Sequence, residues 1–375
     1  MRGMKIARME MFLVAPRWQL LRMETDDGVV GWSEAMLEGR AATVRTAVDE
    51  LMRIVMGTDP RRIEDQFQRM VRRPFYRFGP VLSSAISAVE IALWDIKARA
   101  LGVPIYDLMG GAVRDRLGVY GHVEGDTLDA LRREAQKARA LGVTLVKLPV
   151  QPMLSTMRIG PYIDAQLERY QCVRQAMGDG CDVAVDIHGR LSPSVVRMLC
   201  RELDPLRPYF IEEPVLPHMR TALRQLRDSL GIPLAMGERL YTRGDFSDII
   251  QQRLVDIVQP DVAHAGGLWE VRKIAAMGEL EDIQLAPHCA TSPIALAASL
   301  QLGVCTPNLL CQELGESLGD NILKQPFHIQ KGYIDRPSGP GLGIEIDEQW
   351  VRQQDRAQSW DPPHTVHEDG SIGEW

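Results

Sequence analysis

The spacing of apolar residues changes about a third of the way along the chain. Before that point, residues 4–14 read as a strand. Residues 19–25 and 29–34 alternate apolar and polar around Asp26-Asp27-Gly28, a strong hairpin signal. Helical spacing follows over about 42–56, 61–71 and 81–101. In the last of these, Ile86, Val89, Ile91, Leu93, Trp94 and Ile96 crowd the pattern, which predicts a buried helix. Strands followed by helices predict an α+β unit. From Val119 onward short apolar runs alternate with helical segments. The runs are 119–123, 145–150, 183–188, 210–214, 234–238, 257–261, 284–288 and 309–314. Strand–helix alternation of this kind makes parallel βα units, and eight of them predict a closed (β/α)8 TIM-type barrel. An open doubly wound sheet is the alternative, but no GxGxxG follows any of the runs. The expectation is therefore an α/β chain in three parts. Residues 1–118 form an α+β capping domain, 119–326 the barrel, and 327–375 a Pro- and Gly-rich tail that completes the cap. The tail carries Trp350, Trp360 and Trp375.

Composition narrows the class. The chain has 375 residues, 45% hydrophobic and 25% charged, which is ordinary for a globular protein with a large core. A net charge of −7 gives no basic footprint for nucleic acid or an anionic membrane. No apolar run is long enough to span a bilayer, and the first residues lack the apolar core of a signal peptide. The six cysteines form no CxxC pair and read as buried free thiols of a cytoplasmic protein.

The candidate chemistry lies at the ends of the predicted strands. Strand three of the barrel ends in Asp186 and His188, strand four in Glu212 and Glu213, and strand five in Glu238. Strand six ends in Asp261, strand seven in His288 and strand eight in Glu313. Asp186, Glu212 and Glu238 fall at equal intervals of 26 residues. C-terminal strand ends converge on one mouth of a barrel. Three carboxylates gathered there repel one another unless a cation lies between them, and an all-oxygen set favours Mg2+. Adjacent strand residues face opposite sides, so one glutamate of the Glu212–Glu213 pair faces the metal. The equal spacing selects Glu212 and leaves Glu213 to orient a neighbour. Asp261 and His288, on neighbouring strands, suit a carboxylate–imidazole pair in which the free nitrogen is a base. His188 shares the face of Asp186. Lys147, inside an apolar run, either aims at a substrate carboxylate or forms an ion pair at the strand end. His122 is open between a structural and a functional role. His218, His328, His364 and His367 read as surface or tail residues.

Several strings carry a family resemblance: Val185-Asp186-Ile187-His188-Gly189-Arg190, Ile211-Glu212-Glu213-Pro214, Met236-Gly237-Glu238-Arg239, Gln259-Pro260-Asp261, Ala265-Gly266-Gly267 and Ala286-Pro287-His288. With Pro16-Arg17-Trp18 and His367-Glu368-Asp369 through Glu374-Trp375, the chain resembles the mandelate racemase branch of the enolase superfamily, and within it the acid-sugar dehydratases. The resemblance implies a Mg2+-dependent hydro-lyase acting on a hexonate, D-galactonate foremost. Another aldonate such as gluconate or mannonate, or racemisation or epimerisation on the same scaffold, is the alternative. It implies Asp186, Glu212 and Glu238 as metal ligands and His288 with Asp261 as the base that removes the C2 proton. It makes His188 the acid for the C3 hydroxyl and Glu313 a donor to the enediolate oxygen, which requires a protonated carboxyl with a raised pKa. Lys147 would lie near the substrate carboxylate. A loop around Arg17 and Trp18 would close over the substrate, with Arg190 and His264 as further substrate-binding candidates. A homo-oligomer is implied as well. Two positions depart from the family pattern. Pro149 replaces the usual polar residue two after the strand-two lysine, and Phe78 replaces a glycine, which is expected to narrow the pocket.

Overall fold

The computed structural model describes residues 3–355 and 360–374; Trp375 lies outside the described residues. The N-terminal unit is an antiparallel meander of β1 (Ile6–Val14), β2 (Trp18–Thr25) and β3 (Val30–Glu34), followed by helices α1 (Ala41–Val55), α2 (Ile63–Arg72) and α3 (Pro80–Leu101). Gly28 in the β2–β3 turn takes φ +86°, a conformation open to glycine at no steric cost. Helix α3 starts at a proline after Gly79 and stops at Gly102 in the left-handed region. It is buried along most of its length because it lies between the cap sheet and the barrel. Ser33 of β3 bonds the Ala88 carbonyl on one side of it. On the other, Glu90 accepts the backbone N–H groups of Leu268 and Trp269.

The second unit is a ring of eight parallel strands in chain order: β4 (Arg116–His122), β5 (Leu145–Pro149), β6 (Asp182–Asp186), β7 (Ile211–Glu212), β8 (Leu234–Met236), β9 (Ile257–Val258), β10 (Gln284–Leu285) and β11 (Gln312–Glu313). Strand β11 pairs with β4, and a bridge from Leu285 to Leu309 closes the ring. Between them run α4 (Leu128–Ala140), α5 (Ile159–Met177), α6 (Pro193–Leu203), α7 (Arg220–Ser229), α8 (Arg243–Gln251), α9 (Leu268–Glu279) and α10 (Pro293–Val304). The later strands are shorter than their apolar runs. The backbone leaves the ladder at the mouth, where His188 (φ +52°), Glu213 (φ +43°) and Gly237 (φ +154°) turn away from extended geometry.

A layer of apolar side chains plugs the barrel below that mouth. Tyr120, Ala184, Phe210, Ala235, Ile257, Ala286 and Cys311 form it, large beside small, with Tyr120 edge-on to Phe210 at 6.2 Å. Residues two apart in a strand share a face. Stepping up two positions from the plug gives His122, Asp186, Glu212, Gln259, His288 and Glu313. Leu145, packed against the plug, gives Lys147 in the same way. Strand geometry alone thus turns an apolar floor into a polar layer directly above it.

The tail touches both units. Strand β12 (Tyr333–Asp335) pairs with β4, and helix α11 (Glu348–Gln354) docks on the cap through Arg22–Glu348 at 3.0 Å and Arg352–Glu10 at 2.8 Å. Farther on, His367 bonds the Met153 carbonyl and the Glu368 N–H bonds the Leu154 carbonyl on the loop after β5. All six cysteines are free, Cys181 half-buried and the others buried. Among the described residues no helix is long and apolar enough to cross a membrane.

Candidate active site

A cavity of about 1330 Å3 opens at the C-terminal mouth of the barrel, beneath the cap. Lys147, His188, Glu238 and His288 line it from the barrel. Arg17 and Glu38 line it from the cap, and Trp360 from the tail. The floor is a charge network centred on Lys147, whose side chain is 2% exposed. Its ammonium lies 2.5 Å from Glu212 Oε1, 2.7 Å from Glu313 Oε1 and 3.1 Å from Asp186 Oδ2. Gln259 donates to Glu212 Oε2 at 2.7 Å, so both Glu212 oxygens are held inside the ring. Glu213 faces elsewhere. It accepts the Gly237 N–H at 3.0 Å and the Arg239 guanidinium at 2.6 Å and 3.1 Å. Gly237 is required here, because a Cβ would come within 2.8 Å of the Gln259 backbone.

Two imidazoles flank this floor. His288 Nδ1 lies 2.7 Å from Asp261 Oδ2, and its Nε2 lies 3.5 Å from Glu238. Because Asp261 is acceptor-only when ionised, the Nδ1 proton is fixed and Nε2 is the working nitrogen. Burial pushes His288 down, but Glu313, the Asp261 hydrogen bond and Glu238 hold it well above the usual histidine value. His188 sits beside Asp186, with Nε2 at 3.2 Å from Oδ2. Burial pushes it down to about 4 against the pull of Asp186.

The acidic groups are unequally satisfied. Burial and the neighbouring Asp186 carboxylate hold Glu212 well above the usual range, and burial and Glu213 push Glu238 up to about 7. Asp186 is fully buried, and its Oδ2 lies 3.1 Å from the Lys147 ammonium and 3.2 Å from His188 Nε2. Among the described residues no three acidic, imidazole or thiol groups are drawn together tightly enough to grip a cation; the Lys147 ammonium lies between Asp186 and Glu212 instead. The donor chemistry nonetheless fits a hard divalent ion. Three carboxylates come from consecutive strand ends, two of them, Glu212 and Glu238, raised by burial and by neighbouring carboxylates.

Residues 10–110 match the family described as "Mandelate racemase / muconate lactonizing enzyme, N-terminal domain", and residues 130–350 match "Enolase C-terminal domain-like". The chain belongs to the mandelate racemase/muconate lactonizing enzyme family of the enolase superfamily. It is similar to a D-galactonate dehydratase of Variovorax paradoxus, 42% identical over 99% of this chain and 100% of that one. A D-galactonate dehydratase of Xanthomonas euvesicatoria matches to the same extent. Among solved structures it resembles an enolase from Agrobacterium radiobacter with bound sodium and L-malate. That match has a TM-score of 0.91 and 30% identity over 98% of this chain and 99% of that one. A mandelate racemase/muconate lactonizing enzyme from Sulfitobacter has a TM-score of 0.88 at 28% identity, over 96% of this chain and 99% of that one.

Within this family member the structure gathers Lys147, His188, Arg190, Glu238, His264, His288 and Arg17 around one cavity, with Asp186, Glu212, Asp261 and Glu313 buried behind them. His264 also bonds Ser84 of α3 at 2.9 Å, tying its ring to the cap. Three of the expected residues stand in settings that the sequence does not show. Trp18, expected beside the substrate, is buried in β2 and does not line the cavity; its indole N–H meets Glu316, which does. Glu313, expected to be protonated, is held well below the usual carboxyl range. Burial raises it, but Lys147, His288 and the His122 hydrogen bond outweigh that. Phe78 is absent from the lining. It lies at φ +64° and 38% exposed, so what a glycine offers at this position is backbone freedom rather than space. Sequence reasoning passed over Gln259, although it sits on the inward face midway between Ile257 and Asp261. It also passed over Arg239, Glu316 and Trp360, which no periodicity marks.

Proposed function

We propose that this protein is a Mg2+-dependent sugar-acid dehydratase. It takes the C2 proton and expels the C3 hydroxyl of a hexonate, D-galactonate first, to give a 2-keto-3-deoxy acid. The observation that carries this reading is the pair of imidazoles, His288 on Asp261 and His188 beside Asp186, lining one cavity above a carboxylate floor. The full-length similarity to D-galactonate dehydratases supports the substrate. Asp186, Glu212 and Glu238 would hold the Mg2+, which supplies positive charge that neutralises these carboxylates and stabilises charge developing on the substrate carboxylate.

The chain's own residues do the rest. With Mg2+ held by Glu238 and its neighbours, the negative charge that keeps His288 protonated would be offset; Nε2 of the neutral ring then takes the C2 proton while Asp261 fixes the ring through Nδ1. Lys147 lies on the side where the carboxylate oxygens of the substrate gather charge, and Glu313 holds its ammonium there. In its protonated form, which burial disfavours and the Asp186 carboxylate favours, His188 is a strong acid and gives a proton to the C3 hydroxyl, which leaves as water; the C2–C3 enol then tautomerises to the ketone. Pro149 lines the cavity where a second strand-two base would stand, so racemisation lacks that partner. Arg17, Arg190 and His264 line the cavity and are our candidates for binding the hydroxylated chain of the substrate. Buried free thiols suit a reducing compartment, and we place the protein in the cytoplasm; the family resemblance implies a homo-oligomer.

The test is a sugar-acid library assayed with Mg2+ for 2-keto-3-deoxy products by semicarbazide absorbance. Product from D-galactonate, abolished by EDTA, is the expected result. Product from another aldonate alone moves the specificity. Proton exchange at C2 in deuterium oxide without elimination replaces the dehydratase reading by racemisation or epimerisation.

A further inference from the structure

His122 belongs to none of the roles above, yet it lines the cavity and meets its floor. It is the last residue of β4, paired in register with Lys147 of β5. On the other side of β4, Glu313 is in register with Tyr120, one inward step below. This geometry brings His122 Nε2 to 2.6 Å from Glu313 Oε1, while its Nδ1 lies 3.4 Å from Glu124, whose side chain is largely exposed.

The other partners of Glu313 leave a gap that His122 fills. Glu313 is fully buried, so water does not reach it. Its Oε2 is fixed by the Cys289 N–H at 2.9 Å. Its Oε1 shares the Lys147 ammonium, which Glu212 and Asp186 also hold, so that cation is not committed to Glu313. A carboxyl anchored at one oxygen by backbone and at the other by a shared, rotatable ammonium keeps rotational freedom. A ring donor fixed at a strand end removes it.

We infer that His122 is a positioning residue that locks Glu313 against Lys147, so that the ammonium is held toward the charge-bearing end of the substrate. It acts through Glu313 rather than on the substrate. The inference rests on the proposed reaction for its kinetic readout, but the His122–Glu313 bond itself does not.

The experiment is a double-mutant cycle on the full-length protein with Mg2+. His122→Phe keeps a planar ring and removes the donor. It should lower kcat by about 30-fold and move KM by less than about threefold. His122→Gln, which places an amide N–H near the old Nε2, should recover most of the loss. In a Glu313→Gln background, His122→Phe should cost almost nothing further. An additive loss, or an effect confined to KM, would mean that His122 touches the substrate and would overturn the inference. If no sugar acid turns over, nitrogen-15 histidine NMR still decides. The His122 resonance, assigned by its absence in His122→Phe, should shift on Glu313→Gln. A resonance indifferent to that change overturns the inference whatever the reaction proves to be.

Discussion

His288 and Glu212 are the two side chains whose replacement separates the chemistry from its support. Asn at position 288 keeps an amide near the old Nδ1 for Asp261 and loses Nε2, which lies 3.5 Å from Glu238. His288→Asn should therefore lower kcat by about 10²- to 10⁴-fold, the usual worth of a general base. Mg2+ affinity, read by calorimetry, should stay within about twofold, since no ligand is removed. Retained turnover would put the base elsewhere. Glu212 and Glu213 are neighbours with opposite aspects: one meets Lys147 and Gln259 inside the ring, the other clamps Arg239 and the Gly237 N–H. Glu212→Gln should weaken Mg2+ binding more than Glu213→Gln does, and the reverse order would reassign the ligand. Spacing alone favours Glu212. The geometry adds a reason: Glu212 is two steps above Phe210 of the plug, and Glu213 is one step off that face.

At the scale of elements, the strands were legible because period two and apolar runs leave few alternatives. Their lengths were not, because a ladder stops where the backbone turns, as at His188 and Glu213, and side-chain patterns do not record φ. The contacts between cap and barrel were also hidden. Glu34, at the end of β3, is 1% exposed and accepts Thr291 Oγ1, Ser292 N–H and Ser292 Oγ at the start of α10, all through one oxygen. Its other oxygen, Oε1, has no partner. Burial pushes this carboxyl up to about 7 from an ordinary 4.5, against the pull of those donors. The folded state then holds the proton more tightly than the unfolded chain does. The resulting stabilisation is complete below the unfolded value and is lost as pH rises through the folded one. From about pH 5 to about pH 8, Tm of the wild type should fall further than that of Glu34→Gln, which stays uncharged. Parallel melting curves for the two proteins would show that Glu34 does not titrate in this window.

Across the whole molecule, the cavity is closed by three distant stretches that converge on one guanidinium. Arg17, in the loop between β1 and β2, forms ion pairs with Glu38 of the cap and with Glu316, which follows β11, the latter at 2.7 Å. It also lies under the Trp360 ring of the tail at 4.9 Å. Neighbouring Trp18 adds its indole N–H to the same Glu316 at 3.3 Å. Family resemblance points to this loop as a cover, but local pattern does not reveal the partners, because a latch is a property of the assembled chain. Partly desolvated ion pairs that share one guanidinium are coupled, and losing one leaves the others less well held. If Arg17 serves as a latch, Arg17→Met and Glu316→Gln should have the same effect. Each should raise KM by about tenfold with a smaller change in kcat, and combining them should add little. If Arg17 instead binds the substrate directly, Glu316→Gln will leave KM near the wild-type value while Arg17→Met raises it. That split, read from steady-state kinetics of the two single variants, decides between a closing contact and a substrate contact.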